Sequence, residues 1–375
     1  MIYLDNASTT HKKPLCVLLN VMKAMTIDSV NPGRSGYKLS LRAENVILDV
    51  RQTFKDWFNL NSIDDVIFTS GATMSINLGL IGTVKLGGHI VTTVYEHNSV
   101  LRTIKYMVTK FGVTYSLVTP RADGKIHSED IESAITKDTY LIVVNHISNV
   151  VGFENDILSI GKIAKKYKTL FMVDGAQSVG HNAIDMKKCN INLLSIAGHK
   201  GLYAPQGIGV LLIRNVDVNP LIFGGTGTYS DSIVQPKDRP EGLESGTHNL
   251  VGIYGLYAGL RFVIKNFDKL NKKIEKLSHY LIEQLKHIDN VKLYSSNIYS
   301  GVVSFNIKGK TSSEVSDYLA ENYNIATRSG LHCAPLVHSF YGTLDIGMVR
   351  VSLSYYNSKR HIDKLLKAVK RLSQN

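Results

Sequence analysis

Cysteine is scarce in this 375-residue chain: Cys16, Cys189 and Cys333 are the only three. They are too far apart to form a C-x-x-C pair or a zinc ligand set, and their odd number argues against a disulfide framework. No metal is expected. Apolar runs are short. The longest N-terminal one, Val17 to Met25, is broken by Asn20 and Lys23, well below the roughly 18 to 20 residues needed to span a bilayer. Asp5 and Asn6 fall where a signal peptide needs a continuous apolar stretch, so a cytoplasmic protein with no membrane partner is expected. Neither the G-x-G-x-x-G dinucleotide fingerprint nor the G-x-x-x-x-G-K-[ST] phosphate loop occurs, which removes two common nucleotide-binding readings. Acidic residues are outnumbered, 31 against 43 basic, leaving a net charge of +12. Much of that excess lies in amphipathic stretches, Lys269 to Lys286 and Lys359 to Lys370. No zinc finger or aromatic RNA-binding motif accompanies it, so a solvated helix face is expected and a nucleic-acid partner is not.

The remaining composition, 44% hydrophobic and 20% charged, is that of a globular protein long enough for two domains. Val66–Ser70, Ile90–Tyr95, Tyr140–Asn145, Leu170–Asp174, Leu193–Ala197 and Ile208–Ile213 are nearly continuous apolar runs. Such runs suit strands buried on both faces of a mostly parallel sheet. Between them Ile157, Ile160, Ala164 and Tyr167 repeat with helical spacing. This is α/β layering, and ligands are expected beyond the C-terminal ends of the strands. After about residue 215 the alternation fades. Leu221 to Thr247 reads as a long functional loop, and helices are expected over Leu250–Asn266, Leu270–His287 and Ser312–Asn322. Strands Val302–Ile307 and Met348–Leu353 complete a smaller α+β unit. The expected division is a large domain over 14–250 and a small one over 251–375, with residues 1–13 joining the latter.

Three features converge on one ligand, pyridoxal 5′-phosphate (PLP). Lys200, in Ala197-Gly198-His199-Lys200-Gly201, follows a buried strand among small residues and can form a Schiff base with an aldehyde. Asp174, in Val173-Asp174-Gly175-Ala176-Gln177, ends another buried strand, where a carboxylate can keep a pyridine nitrogen protonated. Gln177 is placed to reach a phenolic oxygen. Thr69-Ser70-Gly71-Ala72-Thr73 turns from strand into helix, a site for a phosphate at a helix N-terminus. Taken singly these read as a loop lysine, a helix N-cap and an ordinary turn; together they supply partners for one cofactor's aldehyde, nitrogen and phosphate.

From Tyr3-Leu4-Asp5-Asn6-Ala7 to Arg350-Val351-Ser352 the chain resembles the class V aminotransferase family of PLP enzymes, most closely the cysteine desulfurases and selenocysteine lyases. The resemblance implies fold type I, a mostly parallel sheet in a large domain with a smaller α+β C-terminal domain, and a homodimer with sites at the subunit interface. It implies that Lys200 is the Schiff-base lysine, Asp174 the pyridinium partner, His97 the stacking histidine, and Ala72, Thr73 and His199 phosphate contacts. Thr247, in Glu244-Ser245-Gly246-Thr247, matches the threonine that reaches the partner subunit's phosphate. Asn149 and Arg350 match residues near the substrate, with Arg350 expected to grip its carboxylate. Cys333, in Arg328-Ser329-Gly330-Leu331-His332-Cys333-Ala334-Pro335, matches the cysteine that attacks substrate sulfur, on a short loop where His332 is placed to favour the thiolate. The implied reaction converts L-cysteine to L-alanine and leaves a persulfide on Cys333 for a sulfur-acceptor protein; the alternatives are L-selenocysteine cleavage or another class V activity. Two positions depart from the pattern: Ala197 replaces a phosphate-contacting Ser or Thr, and Tyr37, in Arg34-Ser35-Gly36-Tyr37, replaces a common His.

Overall fold

A computed structural model describes residues 1–33, 35–295 and 300–374; Arg34 lies outside them. The strands are β1 Ile2–Tyr3, β2 Val66–Thr69, β3 His89–Thr93, β4 Thr114–Val118, β5 Thr139–Asn145, β6 Leu170–Asp174, β7 Leu193–Ala197, β8 Gly209–Ile213, β9 Val291–Leu293, β10 Val302–Ile307, β11 Ile325–Ala326 and β12 Val349–Ser352. The α-helices are α1 Leu15–Thr26, α2 Lys38–Phe58, α3 Ala72–Gly82, α4 Asn98–Phe111, α5 Ser128–Ser133, α6 Ile157–Lys166, α7 Leu250–Lys286, α8 Ser312–Tyr323, α9 Pro335–Tyr341 and α10 Lys359–Ser373.

Seven strands form one sheet in the order β2-β8-β7-β6-β5-β3-β4. Only β8 runs antiparallel to its neighbours, so the expected α/β layering with a mostly parallel sheet is what the chain adopts. The apolar runs became strands because helices cover both faces, and β3, β7 and β8 are buried along their whole length. Strand β4 has no counterpart among the apolar runs, because its first four residues are exposed or half-buried at the sheet edge. A second sheet, β12-β10-β9, is antiparallel, and β1 pairs in parallel with β11.

Two helices were expected between residues 250 and 287; the chain forms one, α7, of 37 residues. No glycine or proline stands between Asn266 and Leu270 to end it, and at about 1.5 Å per residue it is roughly 55 Å long. Its first half packs Ile253, Leu256, Leu260 and Val263 into the core beneath the large sheet. Its second half packs Leu277, Leu281 and Leu285 into a separate core with β10, β12 and α10. Ile2 and Leu4 join that second core, bringing the chain's first residues beside its last strand.

The register positions the site. Asn145 on β5 stands beside Asp174 on β6, and Asp174 stands beside Ser195 on β7, so the C-terminal ends of three adjacent strands form one row. The turns after β2, β3 and β7 open on the same edge, which is where a parallel sheet presents ligands.

Candidate active site

A cavity of about 280 Å³ lies at that edge, lined by Ala72, Thr73, His97, Asn149, Asp174, Gln177, His199 and Lys200, together with Ser70 and Asn145. Eight residues singled out from sequence therefore share one space, although they span residues 72 to 200.

Asp174 is buried at the end of β6, and its Oδ1 accepts a hydrogen bond from the Ala176 amide at 2.9 Å. Burial raises its pKa, and the Ala176 amide and the Lys200 ammonium only partly offset this. Lys200 responds in the complementary sense: burial lowers its pKa to about 8 despite the attraction of Asp174, and Arg350 and Arg328 push it the same way. For both groups desolvation outweighs their mutual attraction. The consequence is an amine that gives up its proton near pH 8 rather than well above it.

His97 caps the N-terminus of α4. Its Nδ1 accepts from the Ser99 amide at 3.1 Å and faces the Ser99 hydroxyl at 2.8 Å. The proton of the neutral ring is therefore left on Nε2. Burial, followed by the charges of Lys200, Arg328 and Arg350, lowers its pKa to about 4, so the ring is uncharged. Ser99, which fixes this tautomer, was not picked out from the sequence; it lies two residues after His97, and only the helix start at α4 brings its amide and hydroxyl to that ring.

The phosphate turn is built from backbone. Helix α3 starts after Gly71 with no side-chain cap, so its first amides are free to meet an anion. Glycine at 209 is what lets this turn settle on β8: a Cβ there would stand 2.6 Å from the Gly71 backbone. Ala197 lines the same cavity without a hydroxyl. His199 contributes a buried Nδ1 that has no partner among the described residues, and burial lowers its pKa to about 4. Gln177 donates from Nε2 to the Ala7 carbonyl at 3.0 Å, which ties the cavity wall to the N-terminal segment.

These observations test whether the residues fit PLP. A lysine amine of lowered pKa, a buried carboxylate, an uncapped helix N-terminus and unpartnered polar atoms on His199 and Asn149 face one cavity, and each matches a different part of that cofactor. The residues fit.

Other expected residues lie outside the cavity wall. Arg350 is fully buried and already engaged: Nη2 donates to Asp5 Oδ1 at 2.8 Å and to Ser8 Oγ at 2.9 Å, and Nη1 to the Asn149 carbonyl at 2.8 Å. Only its Nε, among the atoms of the guanidinium, is a buried nitrogen without a partner. Arg328 exchanges backbone hydrogen bonds with Arg350 and donates to Ser8 Oγ at 2.6 Å, placing a second guanidinium beside the first. In the sequence Arg328 stands out only as the start of the segment that carries Cys333. Thr247 is exposed and lines a neighbouring depression rather than the Lys200 cavity of its own chain. Tyr37 is also exposed and away from that cavity.

Cys333 is exposed, on a loop fixed from several directions. Its carbonyl accepts from the Asn98 amide at 2.7 Å, the His332 carbonyl accepts from Asn149 Nδ2 at 2.7 Å, and the Gly330 amide donates to Ser312 Oγ at 3.1 Å. His332 and Cys333 both have left-handed backbone, with φ of 50° and 57°. That conformation costs non-glycine residues about 1 kcal/mol or more each, and these contacts hold it. The expected help from His332 to the thiolate is not what its surroundings favour. The ring is buried, Nε2 bonds the Met348 carbonyl at 3.0 Å, and burial holds its pKa well below the usual histidine range, so it carries no positive charge.

The class-V aminotransferase family profile matches residues 2–365. A probable cysteine desulfurase from Pyrococcus abyssi is 34% identical over 99% of this chain and 94% of its own length. One from Borreliella burgdorferi is 31% identical over 99% and 92%. Among solved structures, the apo cysteine desulfurase of Thermococcus onnurineus NA1 superposes with a TM-score of 0.92 at 32% identity, covering 100% of this chain and 94% of that one. The cysteine desulfurase CsdA of Escherichia coli gives 0.89 at 25% identity, covering 99% and 94%. An α/β chain with a mostly parallel sheet, a lysine and a buried carboxylate sharing one cavity at its C-terminal edge, and relatives of this kind over its whole length belongs to the class-V aminotransferase family, in PLP fold type I.

Proposed function

We propose that this protein is a PLP-dependent cysteine desulfurase that converts L-cysteine to L-alanine and holds the sulfur as a persulfide on Cys333. The observation that carries the reading is that Lys200 and the buried Asp174 line one cavity, with the Cys333 loop anchored to the first residue of α4 beside it.

Lys200, Asp174, Gln177, His97, Asn149, His199, Ala72 and Thr73 would hold the cofactor, and Thr247 would reach the phosphate held by a second copy. PLP supplies an aldehyde that bonds an amine and a ring that delocalises the electron pair left when a Cα–H bond breaks. Lys200 Nζ takes the substrate's Cα proton; its lowered pKa makes the neutral amine available for this near pH 8. With the cofactor bound, the Asp174 carboxylate would keep its ring nitrogen protonated. The His97 ring, uncharged, would line that site without adding a charge. Arg350 and Arg328 hold the substrate carboxylate. Cys333 Sγ attacks the substrate sulfur, so that an S–S bond forms as the C–S bond breaks, leaving alanine.

Two further features support the setting. Leu15, Leu18, Leu19 and Met22 on α1 are 48% to 68% exposed, an apolar stripe of the kind a homodimer covers. The free thiols fit a reducing cytoplasm, and among the described residues no helix is long and apolar enough to cross a membrane.

The test supplies L-cysteine, L-selenocysteine and L-alanine in turn to the PLP-loaded protein. Alanine from L-cysteine, with one sulfur added to Cys333 by intact mass, is the expected result. Keto-acid products without alanine would move the protein to another class V activity.

A further inference from the structure

Next to the cofactor cavity lies a second space of about 330 Å³, which shares Thr73, His97 and Ser99 with it and has Cys333 on its wall. Its far side is helix α4. The Cys333 carbonyl is bonded to the amide of Asn98, the first residue of that helix. Arg102 and Tyr106 follow Asn98 at intervals of four residues, so all three share one helix face, and all three line the groove. The Cys333 loop is thus fixed at one end of a row whose next member is a guanidinium.

Arg102 is the groove's only charged residue, given that His97 is neutral. No carboxylate lines the groove to occupy it. The groove is open and mixed in lining, with Arg102 as its one charge among polar and apolar surface. It suits a compact anion better than a folded protein surface or an apolar segment.

We propose that this groove binds a small anionic thiol, a mercapto-carboxylate, as the acceptor of the sulfur on Cys333, with Arg102 gripping its carboxylate. The proposal rests on the desulfurase reading above and names the acceptor class for it. The step balances without an oxidant. The acceptor thiolate attacks the outer sulfur of the Cys333 persulfide, a new S–S bond forms, and the old one breaks. Cys333 leaves as thiolate, and the acceptor carries the persulfide away. A carboxylate on Arg102 holds the thiolate of a short acceptor near Sγ. A neutral thiol lacks that anchor.

The experiment loads Cys333 with L-cysteine in a single turnover, removes excess substrate, and follows loss of the added sulfur by intact mass. The probes are 3-mercaptopropionate and 2-mercaptoethanol at matched thiolate concentration. Wild type is expected to discharge about fivefold faster to the anionic probe, the scale of one exposed charge pair. Arg102→Gln should equalise the two rates while alanine formation in the loading step stays unchanged. Arg102→Lys should keep part of the preference, since the charge remains and the fork is lost. Equal rates in wild type, a preference that survives Arg102→Gln, or discharge to neither probe would overturn the proposal. So would an Arg102→Gln variant whose only change is a higher L-cysteine requirement, because Arg102 would then serve the substrate. If wild type forms no persulfide in the loading step, the desulfurase reading itself fails, and this is seen before any acceptor is added.

Discussion

The Arg350 guanidinium donates to the Asp5 carboxylate at 2.8 Å, joining residues 345 apart in sequence. The same guanidinium holds Ser8 and the Asn149 carbonyl, so one buried cation pins the N-terminal segment, the end of the large sheet and β12 together. The residue proposed to receive the substrate carboxylate is therefore already positioned by a carboxylate of the protein.

Arg350→Lys removes the fork that makes these contacts at once. The KM for L-cysteine is expected to rise about tenfold or more, with a smaller fall in kcat, because an ammonium cannot serve Asp5, Ser8 and a substrate carboxylate together. Initial-rate kinetics measures this. An unchanged KM would place the substrate carboxylate on another group.

Lys200→Ala should leave no covalent link to the cofactor. Borohydride treatment of the PLP-loaded wild type followed by peptide mapping should mark Lys200, and the variant should carry no label on any lysine. Asp174→Asn should keep the label on Lys200 yet lose turnover by about a hundredfold or more, since the side chain no longer holds a proton on the ring nitrogen. Full turnover in that variant would mean that a different carboxylate serves the ring.

Cys333→Ala should separate cofactor chemistry from sulfur removal. Cys333 lies on the neighbouring groove rather than the Lys200 cavity wall, so the variant is expected to bind PLP normally, measured by its visible absorption. It should release no alanine from L-cysteine and gain no sulfur. Alanine production at the wild-type rate would eliminate the persulfide route.

Acid should destabilise the protein through its buried histidines. His97, His199 and His338 each have a pKa lowered from 6.5 to about 4, with burial as the leading cause. The unfolded chain binds protons at these sites first. The stability they contribute is therefore present above pH 6.5 and is lost as pH falls through about 4. Thermal melts between pH 7 and 4 should show a falling Tm, and His338→Gln should flatten the slope. A Tm that holds steady across this range would show that these rings accept protons without cost in the folded state.

What the sequence determined by itself was the part carried by local pattern. Continuous apolar runs marked β6 and β7 to the residue because strands buried on both faces have no polar side to blur them. Lys200, Asp174 and the Gly71 turn were legible because each lies at or just past the end of such a run, where the fold presents it at the sheet edge. The edge strand β4 and the short pairing of β1 with β11 left no such trace, since their stability comes from neighbours distant in sequence. The same reason hid the state of the site. That His332 is neutral, that Arg350 is occupied by Asp5, and that Cys333 stands on the same groove as Arg102 all follow from desolvation and from contacts between segments that only the folded chain brings together.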